Sequence, residues 1–144
     1  PTTYRHKKNK YCLKLKIKTN NANTIIRLIH FIKRNEDVTV DYFRKFWDSP
    51  DYLALMDAML DKVFVADIKR NLTLDVETNK MLQAERASKQ PFDGIVEILW
   101  QSGADIAAIE QDEQFNELYA QMEELQSKFI DFDESRRFIT EYNQ

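Results

Sequence analysis

The stretch from Phe92 to Ile106, FDGIVEILWQSGADI, constrains the fold of this chain more than any other segment. Phe92, Ile95, Val96, Leu99 and Trp100 fall at i, i+3, i+4, i+7 and i+8, the spacing of one apolar helix face. Gly103 follows where a helix C-terminus accepts a residue free to take positive φ. Ala104, Asp105 and Ile106 then read as a tight turn into a new apolar step. A helix that stops on Gly and turns straight back is a building unit, and units of this kind repeat.

The unit is two adjacent apolar residues, a second such pair, a residue tolerant of the left-handed conformation, and a final apolar position. Ile95-Val96, Leu99-Trp100, Gly103 and Ile106 fill it. Val63-Phe64, Ile68, Asn71 and Leu74 fill it less completely, and Leu28, Phe31-Ile32, Asn35 and Val38 do so again. Asn35, Asn71 and Gly103 are equivalent in this reading, because Asn is the non-Gly residue that most readily adopts αL. The spacing between copies is thirty-two to thirty-six residues.

On these residues the chain resembles an ankyrin-repeat protein, whose period is about 33 residues. Residues 95–109 carry the match. No Thr-Pro-Leu-His signature opens a unit, and Ser49-Pro50-Asp51-Tyr52 is the nearest counterpart. The resemblance implies stacked units, each too small to bury its apolar face alone. It also implies partner binding at the hairpin tips, which puts candidate contacts at Asp37, Thr39, Asp41, Thr73, Asp75, Glu77, Asp105 and Glu110. The expected fold class is mainly α, as a helical repeat or a compact helical bundle with a short N-terminal strand.

Local signals fill in the rest. Leu13, Leu15 and Ile17 alternate with Lys14, Lys16 and Lys18, the period of a half-buried strand. A helix is expected from Asn23 or Thr24 to Arg34, with Arg27, His30 and Arg34 along one stripe. Thr39 can cap a short helix carrying Phe43, Phe46 and Trp47. Ser49-Pro50-Asp51 is a strong helix start. Leu72, Leu74 and Val76 alternate as a short extended piece, and Asn79–Lys89 reads as helix. Phe115, Leu118, Tyr119, Met122, Leu125 and Phe129 define a longer amphipathic helix. Phe138, Ile139 and Tyr142 are assigned to a last short helix.

Charge is strongly polarised along the chain. Residues 1–35 hold ten Lys or Arg and no acid, whereas residues 36–144 hold eleven bases against twenty-four acids. The reading is a flexible basic arm over residues 1–10, followed by one domain over 11–144. Clustered cations suit phosphate contacts, so Arg5, Lys7, Lys8, Lys10, Lys14, Lys16, Lys18, Arg27 and Arg34 are candidate nucleic-acid ligands. Tyr4 and Tyr11 could stack bases.

Other chemistry is poorly supported. His6, His30 and Cys12 show no zinc-ligand spacing. Two Gly in the whole chain leave no room for a Gly-rich phosphate loop. Asp105, Glu110, Asp112 and Glu113 would face phosphates in a helix-turn-helix, which is the wrong charge. No catalytic, cofactor-binding or metal-binding residue is assigned. A lone Cys12 fits a reducing compartment, and no secretory or membrane-spanning segment is visible, so the expected location is cytoplasmic. The expected role is a non-catalytic protein–protein interaction module. The alternative is a nucleic-acid-binding accessory protein using its basic N-terminal segment, residues 1–34.

Overall fold

The computed structural model describes residues 25–63, 65–109 and 111–142. The predicted basic arm and the strand at 11–19 lie outside them. Four strands, β1 (Ile25–Ile32), β2 (Asp67–Leu72), β3 (Gly94–Trp100) and β4 (Arg136–Tyr142), form one sheet in the order β2-β3-β1-β4. Every neighbouring pair is antiparallel. Helices α1 (Val40–Trp47) and α2 (Pro50–Leu60) connect β1 to β2, and α4 (Gly103–Ile109) and α5 (Glu113–Ser127) connect β3 to β4. Helix α3 (Glu77–Glu85) interrupts the link between β2 and β3. The chain is therefore α+β, with two interleaved β-α-β units, and not a mainly helical solenoid or bundle.

This overturns the repeat. The three proposed copies end in different structures. Residues 25–32 and 94–100 are strands, and the segment before Asn71 enters β2. Gly103 opens α4 instead of closing a helix. Among the described residues no Gly has positive φ, and Ala87 at φ 49° is the sole non-Gly residue that does. Asn35 and Asn71 thus do not act as left-handed stops. Asn35 is held by its backbone N–H on the Phe129 carbonyl, 2.8 Å, and Asn71 pairs with Ile95 within the sheet. The last predicted helix, around Phe138, is β4. The expected stripe of Arg27, His30 and Arg34 also dissolves, because strand alternation sends Arg27 and His30 to opposite faces.

Helices with explicit start signals form as read. Thr39 caps α1 and accepts a hydrogen bond from the Tyr42 backbone N–H, and Ser49 caps α2 through that of Tyr52. Asp112, which the sequence reading did not identify as a cap, caps α5 through the Phe115 N–H. Helix α2 ends at Leu60, and Ile68 belongs to β2.

The core lies between the sheet and α1, α2 and α5. Ile32, Val96, Ile68, Leu72 and Ile98 meet Phe43, Phe46, Trp47, Tyr52, Met122 and Ile130. Phe46 stacks on Phe129 with ring centroids 4.1 Å apart. The Arg70 guanidinium lies 4.7 Å over Trp47 and donates to its backbone carbonyl. A second cluster joins Ile26 and Trp100 to Ile106 of α4. Every buried strand residue (Ile26, Ile32, Gly94, Val96, Trp100) belongs to the set that points toward the helices.

Candidate functional site

The opposite face of the sheet is built from the alternate residues. Ile25, Arg27, Ile29 and Phe31 of β1 lie beside Ile95, Glu97 and Leu99 of β3, with Phe138, Thr140 and Tyr142 of β4 on the far side. Asp67, Lys69 and Asn71 of β2 form the other margin. None of these residues is buried. Phe31 stacks on Phe92 at 5.2 Å and meets Phe138 edge-on at 5.4 Å. Phe138 remains 41% exposed. At the centre Arg27 pairs with Glu97, and the guanidinium also lies 5.1 Å over the Tyr142 ring. Each member of this ion pair is only 20% exposed. A half-buried pair in the middle of an apolar face has lost part of its hydration, so its partner contact is what holds the charge there.

Seven residues a strand and four strands make a face of roughly 23 by 19 Å, from a rise of about 3.3 Å per residue and a strand spacing of about 4.8 Å. Contiguous apolar patches beyond a few hundred Å² are uncommon on monomers. More apolar surface projects from the connection between β2 and β3. Leu74, Val76, Met81 and Leu82 are all exposed, and α3 buries no residue.

A second feature lies on the helix side, at the edge formed by β1 and β4. A cleft of about 240 Å³ has His30 and Arg137 on its sheet wall, Glu123 and Gln126 of α5 above them, and Phe132, Asp133 and Ser135 along one lip. His30 and Arg137 are cross-strand partners. Burial first, and then the charge of Arg137, lowers the His30 pKa from 6.5 to about 4. The imidazole is therefore neutral at pH 7, with one nitrogen able to donate and one to accept. Arg137 is held by the Tyr119 hydroxyl, to which it donates at 2.7 Å. Ser135 is already engaged: its hydroxyl donates to the Asp131 carbonyl and accepts from the Lys33 backbone N–H.

The sequence-predicted contact residues fall at both ends of the sheet. Asp37, Thr39 and Asp41 follow the C-terminal end of β1, and Thr73, Asp75 and Glu77 follow that of β2. These two strands are parallel to each other, so both groups sit at one end, and Arg44 of α1 joins them by donating to the Thr73 carbonyl at 2.9 Å. Asp105 follows β3 and lies at the other end, in the first turn of α4. Glu110 is outside the described residues. Thr39 serves as a helix cap, and the Thr73 hydroxyl donates to the Phe92 carbonyl at 2.6 Å.

Of the predicted cationic track, Arg27 and Arg34 are described. Arg27 is committed to Glu97. Arg34 is paired with Asp93 at 3.3 Å and donates to the Val38 carbonyl. Arg5, Lys7, Lys8, Lys10, Lys14, Lys16 and Lys18 lie outside the described residues. Among those described, no group of His, Cys, Asp and Glu is arranged to hold a metal ion, and no helix is long and apolar enough to cross a membrane. Sequence reasoning missed both the open face and the cleft. The available signal was the β-branched content of IIRLIHFI and GIVEILW, which favours strand over helix.

No family model matches this chain, and no curated protein does. Solved structures similar in shape include the following three. A dimeric ferredoxin-like protein of unknown function from Thermobifida fusca has a TM-score of 0.49 and 13% identity, over 85% of this chain and 92% of that one. A conserved protein of unknown function from Bacteroides thetaiotaomicron, described as a possible oxidoreductase, has a TM-score of 0.48 and 17% identity, over 83% and 99%. A dimeric protein of unknown function and ferredoxin-like fold from Bacteroides fragilis has a TM-score of 0.45 and 9% identity, over 82% and 96%.

Proposed function

We propose that this chain is a non-catalytic protein-interaction module whose open sheet face pairs with the same face of a second copy. The observation that carries the reading is the apolar surface around Phe31, Phe92 and Phe138, on the side of the sheet that buries nothing. A footprint of about 440 Å² of flat sheet, roughened by its side chains, approaches the roughly 600 Å² per partner of the smallest stable interfaces. The exposed side chains of the β2–β3 connection add to it.

A second copy suits this face because the face is self-complementary. Its centre carries one cation and one anion, Arg27 and Glu97, so a two-fold axis sets each copy's pair against the other's. A partner of one strong charge would meet a like charge there instead. The margins repeat the pattern, with Asp67 and Lys69 on β2 and Arg136 on β4.

The test is sedimentation velocity at micromolar concentrations, on the native chain and on Phe138→Lys. Phe138 is exposed, so the substitution leaves the helix-side core untouched. The native chain is expected to sediment as a dimer and the variant as a monomer with an unchanged circular dichroism spectrum. A native chain that stays monomeric into the high micromolar range overturns the reading. The nucleic-acid alternative now rests on residues 1–24 alone, and a salt-sensitive shift with generic RNA or DNA, lost on deleting those residues, is its own test.

A further inference from the structure

The cleft beside His30 gathers opposite charges around one concavity. Arg137 lines it from the sheet, and Glu123 and Asp133 line it from the helix and lip, yet none of the three joins an ion pair among the described residues. Opposite charges facing one concavity and not touching leave a gap between a donor wall and an acceptor wall. The donor wall has one anchor. Arg137 is tethered by Tyr119, which leaves other guanidinium N–H groups free to point inward. His30 interrupts a helix-facing row otherwise made of Ile26, Leu28 and Ile32, and makes no hydrogen bond among the described residues. A polar residue in that row, without a protein partner, is placed at some cost to packing.

We infer that this cleft binds a small amino-carboxylate, its carboxylate held by Arg137 and His30 and its ammonium by Glu123 and Asp133. The arrangement discriminates by charge separation. A simple anion meets the two acids, a simple cation meets Arg137, and a zwitterion satisfies both walls. A neutral imidazole is suited to the carboxylate end, since it can donate a hydrogen bond without bringing a second positive charge. Size limits the ligand as well. A cavity of about 150 Å³ holds benzene, so one of 240 Å³ takes a molecule of roughly ten non-hydrogen atoms, the scale of a free amino acid. Phe132, 46% exposed at the lip, offers an apolar surface for the ligand's remaining carbons. The site lies on the helix side of the sheet and does not depend on pairing through the open face.

The experiment is a titration of the 144-residue chain followed by the His30 ring resonances in NMR. The probes are the free L-amino acids, β-alanine and γ-aminobutyrate, with acetate and methylammonium as the two half-ligands. At least one zwitterion is expected to shift the His30 signals saturably, with neither half-ligand doing so at the same concentration. Arg137→Met and Glu123→Gln are each expected to weaken that binding about tenfold or more, as loss of a charge-assisted contact does. Lys80→Gln, on the exposed α3, should leave it unchanged. Both cleft substitutions lie outside the buried core, and unchanged thermal melts verify that the variants are folded. The inference is overturned if no zwitterion gives a saturable shift. It is equally overturned if a half-ligand binds as well as the zwitterion, or if Glu123→Gln binds undiminished.

Discussion

Gly94 shows how one position couples the sheet to the helix layer. A Cβ built there would stand 2.6 and 2.7 Å from two ring atoms of Trp47, closer than real carbon contacts come. Glycine at the start of β3 is what lets the indole, with Arg70 over its ring, come this close to the strand. Gly94→Ala should therefore destabilise the fold by about 1–3 kcal/mol, the usual cost of overpacking a filled core. Urea denaturation measures it, and a change below about 0.5 kcal/mol would contradict the contact. His30 makes a prediction of the opposite kind, in pH. Its folded pKa of about 4 lies below the unfolded value of 6.5, so the unfolded chain takes up the proton first as pH falls. Stability from this group is full above pH 6.5 and is lost progressively toward pH 4, by about 1.4 kcal/mol per unit. His30→Leu should flatten that part of the stability–pH curve. An unchanged slope would mean the imidazole is not desolvated. Neither property was readable from the residues in order: Gly94 looked like part of a helix, and His30 like one member of a basic stripe.

At the scale of elements, the helices with caps were legible and two central strands were not. Thr39, Ser49 and Pro50 act within a few residues of themselves, so their meaning survives in any fold. Thr39→Ala should cost about 1 kcal/mol in the same denaturation experiment, because the Tyr42 N–H loses its acceptor. β1 and β3 hide for a physical reason. Each lies inside the sheet with apolar residues on both faces, Ile25, Ile29 and Phe31 on one and Ile26, Leu28 and Ile32 on the other. Alternation then vanishes, and a continuous apolar run satisfies the helical spacing just as well. The residues that make the open face a candidate interface are thus the ones that disguise the strands. The cleft was illegible on other grounds. His30, Glu123 and Arg137 are far apart in sequence, and only the β1–β4 register and the position of α5 bring them to one concavity.

For the whole molecule, pairing through the open face carries a thermodynamic signature. If folding and association are linked, the melting temperature rises with protein concentration. The native chain should show that rise and Phe138→Lys should not. A concentration-independent melt of the native chain would separate folding from pairing. Residues read in order gave two helix starts, the amphipathic α5, the aromatic content of the core around Phe43, Phe46 and Trp47, and the division into a basic front and an acidic body. These follow from contacts between neighbours in the chain or from composition. Tertiary structure alone decided that IIRLIHFI and GIVEILW are strands, that they pair as the centre of one sheet, and which of their residues face the helices. Strand pairing is a contact between segments some seventy residues apart, as Ile26 with Trp100. Its stabilisation comes from hydrogen bonds and burial that no local window contains.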